Sequence, residues 1–392
     1  MKTATVSLGS VANIIMGTSP KGNTYNNVGN GLPLINGPTE FGADHPSCTL
    51  FTTKSSKECE TGDLIFCVRG STTGRMNWAD KKYSLGRGVC SIRGKTPSDT
   101  IYIRYSLEQY LNQLLQFAGG ATFPNLTKDT IHSFKIPYPV DREIIVNIVQ
   151  NYDMLINNNR KRIQLLEESA RLLFREWFVH FRFPGHEKVH PVRKSDSNGV
   201  KIVDDVPEGW KRINLMDIIN TIESGGRPKG GAIDEGIPSI GAENVNGIGN
   251  YDYSNEKYVP EEYYQKMKKG KVISKDVLLY KDGANIGRTT IVGYGFPHNK
   301  CCVNEHVFIL RTKNDIQNWL YFFLSQDFIR QAVANLNSNC AQPGISQDKL
   351  SSLKIIFPDE EIVRLFDDVT ESIVKQIGSS PYRVGKNESI LN

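Results

Sequence analysis

Three short motifs have residue types that could do chemistry. His186-Glu187-Lys188-Val189-His190 matches the H-E-x-x-H pattern, in which two histidines one helical turn apart share a zinc ion and the glutamate acts as base. That chemistry needs a helix. Here Pro184-Gly185 precede the match and Pro191 follows it, and no third ligand suggests itself, so the expectation is a loop without metal. Gly94-Lys95-Thr96 resembles the end of a phosphate-binding loop, but the first required glycine falls on Val89, and no clear helix is read after it. The expectation there is a turn after a strand. Gly70-Ser-Thr-Thr-Gly74-Arg75 and Gly283-Ala-Asn-Ile-Gly287-Arg288 are the third pattern. Paired glycines allow tight backbone geometry, and each pair presents an arginine that could meet a phosphate or a guanine edge, or could simply be solvated at a hairpin turn. Lys21, Arg87, Arg227 and Lys229 also stand among Gly, Pro or Ser, as ligand-contacting loop residues often do. No Asn/Asp-Pro-Pro-Tyr/Phe base-methylation pocket and no dinucleotide fingerprint occurs, so the expectation is a chain with no catalytic residues, metal or cofactor of its own.

Something must position these loops, and the sequence offers one dominant element. Asp141 to Trp177 has no Pro or Gly, and apolar residues recur every three or four positions: Ile145, Ile148, Tyr152, Leu155, then Ile163, Leu166, Ala170, Leu173 and Trp177. A helix over this stretch spans about 55 Å, far beyond an ordinary globular helix. Pro139 limits it on the N-terminal side, Asp141 and Glu143 suit its N-terminus, and Asn159 falls on the apolar seam as a register-fixing polar residue.

The chain also repeats itself. Gly31-Leu-Pro-Leu-Ile resembles Gly236-Ile-Pro-Ser-Ile at an offset of 205 residues; the two Gly-x-x-x-Gly-Arg turns lie 213 apart. Phe123-Pro124-Asn-Leu-Thr-Lys resembles Gln342-Pro343-Gly-Ile-Ser-Gln, and Ile131–Pro139 resembles Leu350–Pro358, both at 219. Colinear matches with a slowly growing offset imply duplication. Each block reads as β-rich, with strands at Asp63–Val68, Gly88–Ile92, Asp276–Tyr280 and Val307–Arg311 and helical periodicity at Tyr102–Phe117 and Ile316–Val333. The organisation expected is a first block over 1–140, the long helix and its end over 141–180, a linker over 181–206, a second block over 207–358, a shorter helix over 359–378 and a tail over 379–392.

Charge and cysteine usage narrow the function. Residues 1–140 hold 14 Lys+Arg against 9 Asp+Glu and residues 207–358 hold 18 against 16, so both blocks are mildly basic and compatible with nucleic-acid binding. No apolar run approaches the ~20 residues needed to cross a bilayer. Seven cysteines, an odd number without C-x-x-C, read as reduced thiols in a cytoplasmic protein.

At this point the chain resembles the specificity subunits of type I restriction-modification systems. The resemblance is most specific over Leu165-Leu-Glu-Glu-Ser-Ala-Arg-Leu-Leu-Phe-Arg-Glu-Trp-Phe-Val-His-Phe-Arg-Phe-Pro-Gly-His-Glu187, which also accounts for the H-E-x-x-H match as family linker. Gly62-Asp-Leu-Ile, Phe123-Pro124-Asn125 and Pro207-Glu-Gly-Trp210 share it. The resemblance implies an α+β chain: two β-rich target-recognition domains in a pseudo-twofold repeat, separated by long antiparallel coiled-coil helices. Each domain would read one half of a split double-stranded DNA site. Modification subunits, carrying the methyltransferase chemistry, would bind the helices, and restriction subunits would join them. The second helix is about half the length of the first, a departure from the family pattern. The expectation is therefore that half of the seam lacks a partner within the chain and forms a subunit interface, with a modification subunit or a second copy: either Ile163, Leu166, Ala170, Leu173 and Trp177 or their counterparts nearer Ile145, with the former favoured because Trp177 and the neighbouring Arg171 and Arg175 match the composition of interface anchors. The alternative reading, a zinc-dependent hydrolase built on His186-Glu187 and His190, is the weaker one.

Overall fold

The computed structural model describes residues 4–42, 44–119, 124–186, 202–203, 206–207, 209–253, 256–293, 295, 297–337 and 344–378. The chain divides into two compact units between Leu155 and Ile156, inside the long helix.

In the first unit, a four-stranded antiparallel sheet runs in the order Ala12–Met16, Val89–Gly94, Leu64–Cys67, Met76–Trp78. Leu64–Cys67 is apolar throughout and entirely buried, as a strand covered on both faces must be. Helix Pro97–Gln116 covers one face, placing Ile103, Leu107 and Leu114 against Leu64, Phe66, Cys90 and Ile92. A second sheet, of five short strands, centres on Leu32–Ile35, which runs parallel to Tyr83–Leu85. Strand Ala4–Ser7 pairs antiparallel with Lys135–Tyr138, the strand that leads into the long helix.

The second unit repeats this plan. Its four-stranded antiparallel sheet runs Ile219–Ser224, Val307–Thr312, Val277–Tyr280, Thr289–Ile291. Lys211–Asn214 pairs with Lys354–Phe357, and Ile237–Ile240 runs parallel to Cys302–Val303. The two units also repeat an ion pair at the same place, a buried aspartate held by a partly exposed arginine. Asp63, fully buried, binds the Arg93 guanidinium at 2.5 and 2.9 Å; Asp276 binds Arg311 at 2.6 and 2.7 Å. Each aspartate opens a central strand and each arginine lies on its neighbour, so the pair ties strand start to strand register.

Three expectations about elements need correction. A helix does follow Gly94-Lys95-Thr96: it starts at Pro97 because Thr96 accepts from the Asp99 N–H at 3.1 Å while Asp99 accepts from the Thr96 N–H, a capping box with Pro in the first turn. Ile316–Val333 is two helices, Gln317–Leu324 and Asp327–Asn335, parted where Ser325 and Gln326 turn their side chains onto the Phe322 carbonyl. The long helix itself is continuous from Arg142 to Phe178, and the shorter one runs Glu360–Gly378.

The third correction concerns the seam. In the second unit the distal half of the long helix packs antiparallel on Glu360–Gly378: Phe366 meets Phe174, Trp177 and Phe178 ring to ring, and Arg162 donates to Gln376 at 2.8 Å. Ala170 and Trp177 are core residues, and Ile163, Leu166 and Leu173 pack against that core. These five positions have their partner within the chain after all. Nineteen residues suffice because aromatic side chains from Gln317–Leu324 complete the cover: Trp319 stands beside Phe174 and Phe178, and Phe322 beside Phe366.

Candidate nucleic-acid and subunit interfaces

Both Gly-x-x-x-Gly turns close a hairpin, and both do so with left-handed glycines: φ is 100° and 98° at Gly70 and Gly74, and 73° and 86° at Gly283 and Gly287. A side chain at those positions would strain the backbone. The second glycine N–H bonds the preceding strand (Gly74 to Cys67 O, Gly287 to Tyr280 O, both 2.9 Å), and the strand returns a bond to the arginine carbonyl. In the first unit the turn is further held by Pro124, whose carbonyl accepts from Gly70 N–H and from the Thr73 hydroxyl.

The arginines then differ. Arg75 is exposed, as are Lys21 and Arg87. Gly17 lies against Gly86, so the turn carrying Arg87 and the segment leading to Lys21 share one edge of the first unit. Arg288 is half-buried and donates to Asn246 at 3.1 Å. Lys229 is exposed; Arg227 is exposed but ion-paired to Glu305 at 3.0 Å, beside His306, which bridges Asp282 at 2.8 Å and Glu305 at 3.2 Å. Arg227 is thus already committed to a carboxylate. His306, Asp282 and Glu305 were not marked by the sequence, because none belongs to a motif; Glu305 and His306 are neighbours in the chain, but Asp282 lies 24 residues from His306 and only the fold brings it in.

Of the H-E-x-x-H match, only His186 is described: its Nδ1 lies 2.7 Å from the Phe183 carbonyl, so the ring is tied to its own turn, while Glu187 and His190 lie outside the described residues. Among the described residues no cluster of three potential metal ligands occurs, and no helix is long and apolar enough to cross a membrane.

A different apolar face is left open. On the first-unit part of the long helix, Val146 is buried, Arg142 binds Asp99 at 2.6 Å and Asp153 accepts from Tyr105 at 2.5 Å. These contacts fix which side faces the block. Burial opposes ionisation of Asp99, yet hydrogen bonds from Tyr138, Arg142 and Thr96 hold its carboxyl below the usual range. On the remaining faces Ile144, Ile148, Tyr152, Met154 and Leu155 are 48 to 62% exposed. Part of the expected seam, Ile148, Tyr152 and Leu155, is therefore the uncovered part.

Comparison with known proteins follows this geometry. The family model described as type I restriction modification DNA specificity domain matches twice, over residues 2–168 and 207–379. The chain is 23% identical over 343 residues to the MjaIX type I restriction enzyme specificity subunit of Methanocaldococcus jannaschii, covering 83% of this chain and 75% of that one. It is 23% identical over 416 residues to the EcoBI specificity subunit of Escherichia coli, covering 98% and 84%. A relative named MjaX specificity subunit, also from M. jannaschii, is 33% identical over 161 residues, which is 40% of this chain and 38% of that relative. The crystal structure of the S subunit of a type I restriction-modification system from M. genitalium superposes with a TM-score of 0.55 at 15% identity over 96% of each chain, a likeness of fold. The chain belongs to the type I restriction-modification DNA specificity family and is a specificity subunit, a non-catalytic role, with two specificity domains. The zinc-hydrolase alternative finds no support in these comparisons.

Proposed function

We propose that each block reads one half of a bipartite double-stranded DNA target, that the long helix sets the spacing between the half-sites, and that modification subunits dock on the helices, with restriction subunits joining that complex. The observation that carries this reading is the duplication: the same four-stranded sheet, the same Gly-x-x-x-Gly-Arg hairpin and the same pair of a buried aspartate with a strand arginine occur once in each block. Two copies of one reading module suit two half-sites. Lys21, Arg75, Arg87, Lys229 and Arg288 remain the candidate DNA contacts; exposure of the first four supports them, whereas the Glu305 ion pair makes Arg227 the weakest of the six. The subunit interface moves from the favoured set, Ile163, Leu166, Ala170, Leu173 and Trp177, to the alternative end of the seam, the open face at Ile148, Tyr152 and Leu155, since an uncovered stripe of that kind marks an interaction site.

The test is to exchange residues 207–358 for the corresponding block of a relative and map methylated motifs in a host that supplies the modification and restriction subunits. The expected outcome is a motif altered in one half only. Alteration of both halves, or of neither, would overturn the modular reading.

A further inference from the structure

A cavity of about 420 Å³ opens in the second unit between the long helix and the loop at Val245–Gly247. Three arginines line it: Arg171 from the long helix, Arg288 from the glycine hairpin and Arg330 from helix Asp327–Asn335. All three are half-buried. Among the described residues none of them has a carboxylate at ion-pair distance, and the Arg330 Nε is buried with no hydrogen-bond partner at all. The only carboxylate on the wall is Glu167, which is engaged by the Tyr321 hydroxyl at 3.2 Å; the same hydroxyl accepts from the Ile248 N–H at 3.0 Å. Burial raises the Glu167 carboxyl above its ordinary range, so its negative charge is the easier of the two signs to lose here.

Three half-buried guanidinium groups facing one carboxylate, Glu167, whose charge Arg171 supports, leave positive charge in excess on the wall, and a native fold keeps such an arrangement where something anionic completes it. The fold does not demand it. The equivalent hairpin glycine of the first unit, Gly74, packs against the Leu111 side chain, whereas Gly287 packs against the backbone of Arg330. The arginine cluster is therefore particular to the second block.

We propose that this cavity binds a phosphate group, with Arg171, Arg288 and Arg330 as its guanidinium donors and Asn246 orienting Arg288. Guanidinium forks match phosphate oxygens two at a time, and the volume is in the range of ordinary ligand sites, with room for more than the bare ion. The phosphate can belong to a DNA backbone or to a free phosphorylated small molecule; the chemistry on the wall is common to both. The proposal does not depend on the DNA-reading assignment, since it concerns the cavity alone.

The experiment is calorimetric titration of the full chain with inorganic phosphate at constant ionic strength held by chloride. The expected result is one phosphate per chain, weakened about tenfold or more by Arg330→Gln and by Arg171→Gln, and partly retained by Arg330→Lys. Arg171→Gln sits on the rim of the long helix and guards against a fold defect at Arg330; unchanged melting of each variant is checked first. Absence of binding, or binding that neither glutamine variant weakens, overturns the proposal. A short DNA duplex is then added to the phosphate-loaded protein together with its modification subunits. Displacement of phosphate assigns the site to a DNA backbone phosphate and retention assigns it to a free ligand, and in both cases the site stands.

Discussion

At the scale of single residues, burial raises two carboxyls, Asp367 and Asp276, and the fold accommodates them differently. Asp367 accepts from the Trp319 N–H at 2.7 Å inside the second-unit core, and burial pushes its carboxyl up to about 7 despite that hydrogen bond and the nearby Lys275. A folded-state value above the unfolded one means the folded chain holds the proton that the unfolded chain has lost. Stability from this group is present below the unfolded value, about 4, and is lost as pH rises through about 7, at up to roughly 1.4 kcal/mol per pH unit. The expected outcome is a second unit more stable at pH 5 than at pH 8, and Asp367→Asn should flatten that slope. Tryptophan fluorescence during urea unfolding reads it, because Trp177, Trp210 and Trp319 all lie in the second-unit core. Asp276 behaves differently: burial raises its carboxyl, but Arg311 binds it through two short hydrogen bonds. Removing the arginine strands a buried charge, so Arg311→Met should cost about 3–5 kcal/mol, and adding Asp276→Asn should recover part of that. No recovery in the double variant would show the aspartate to be satisfied without Arg311. None of this was legible from residue types. Asp63 and Asp276 each stand at the start of an expected strand, but the partners lie 30 and 35 residues away across a strand pair, and sequence pattern does not encode such pairings.

At the scale of elements, periodicity located the long helix to within one residue at each end, because a 37-residue run without Gly or Pro leaves the chain few alternatives. Which face is covered was not legible. The apolar stripe is nearly continuous, and a helix face carries no label saying what will meet it. Two facts decided the matter. The aromatic run Trp319-Leu-Tyr-Phe-Phe323 lies on a helix buried in full against the C-terminal helix, and Phe366 projects into the rings of Phe174, Trp177 and Phe178. Phe366→Ala should therefore destabilise the second unit by about 3–5 kcal/mol, and Leu166→Asp with Leu173→Asp should unfold it rather than merely uncouple a partner. Ile148→Asp with Leu155→Asp is expected to leave unfolding within about 0.5 kcal/mol of the parent while abolishing co-purification with the modification subunit. A double variant at 148 and 155 that still co-purifies would remove the open face from the assembly.

For the molecule as a whole, the repeat was legible in four colinear matches, and the strand order of each sheet bears it out, since duplicated sequence preserves hydrophobic pattern and turn positions even where side chains drift. The two hairpins are nonetheless not identical in their surroundings: Arg75 is solvated while Arg288 lines a cavity, although both follow the same pair of glycines. The long helix is the one covalent element that passes from one unit to the other without a break. If it sets half-site spacing, shortening it must shift the spacing and leave the bases alone. Asn157 to Arg160 is the place to cut, because Asn157, Asn158 and Arg160 are exposed and the core contacts at Ala170, Phe174 and Trp177 lie beyond. Removing four residues shortens the rod by about 6 Å and advances the helix phase by roughly 40°. On DNA, at 3.4 Å per base pair, that is about one to two steps. Methylome mapping of a host carrying this deletion should return the same two half-site sequences with the non-specific spacer reduced by one or two base pairs. An unchanged spacer would take the ruler away from this helix, and changed half-site bases would place part of the reading surface on the helix itself.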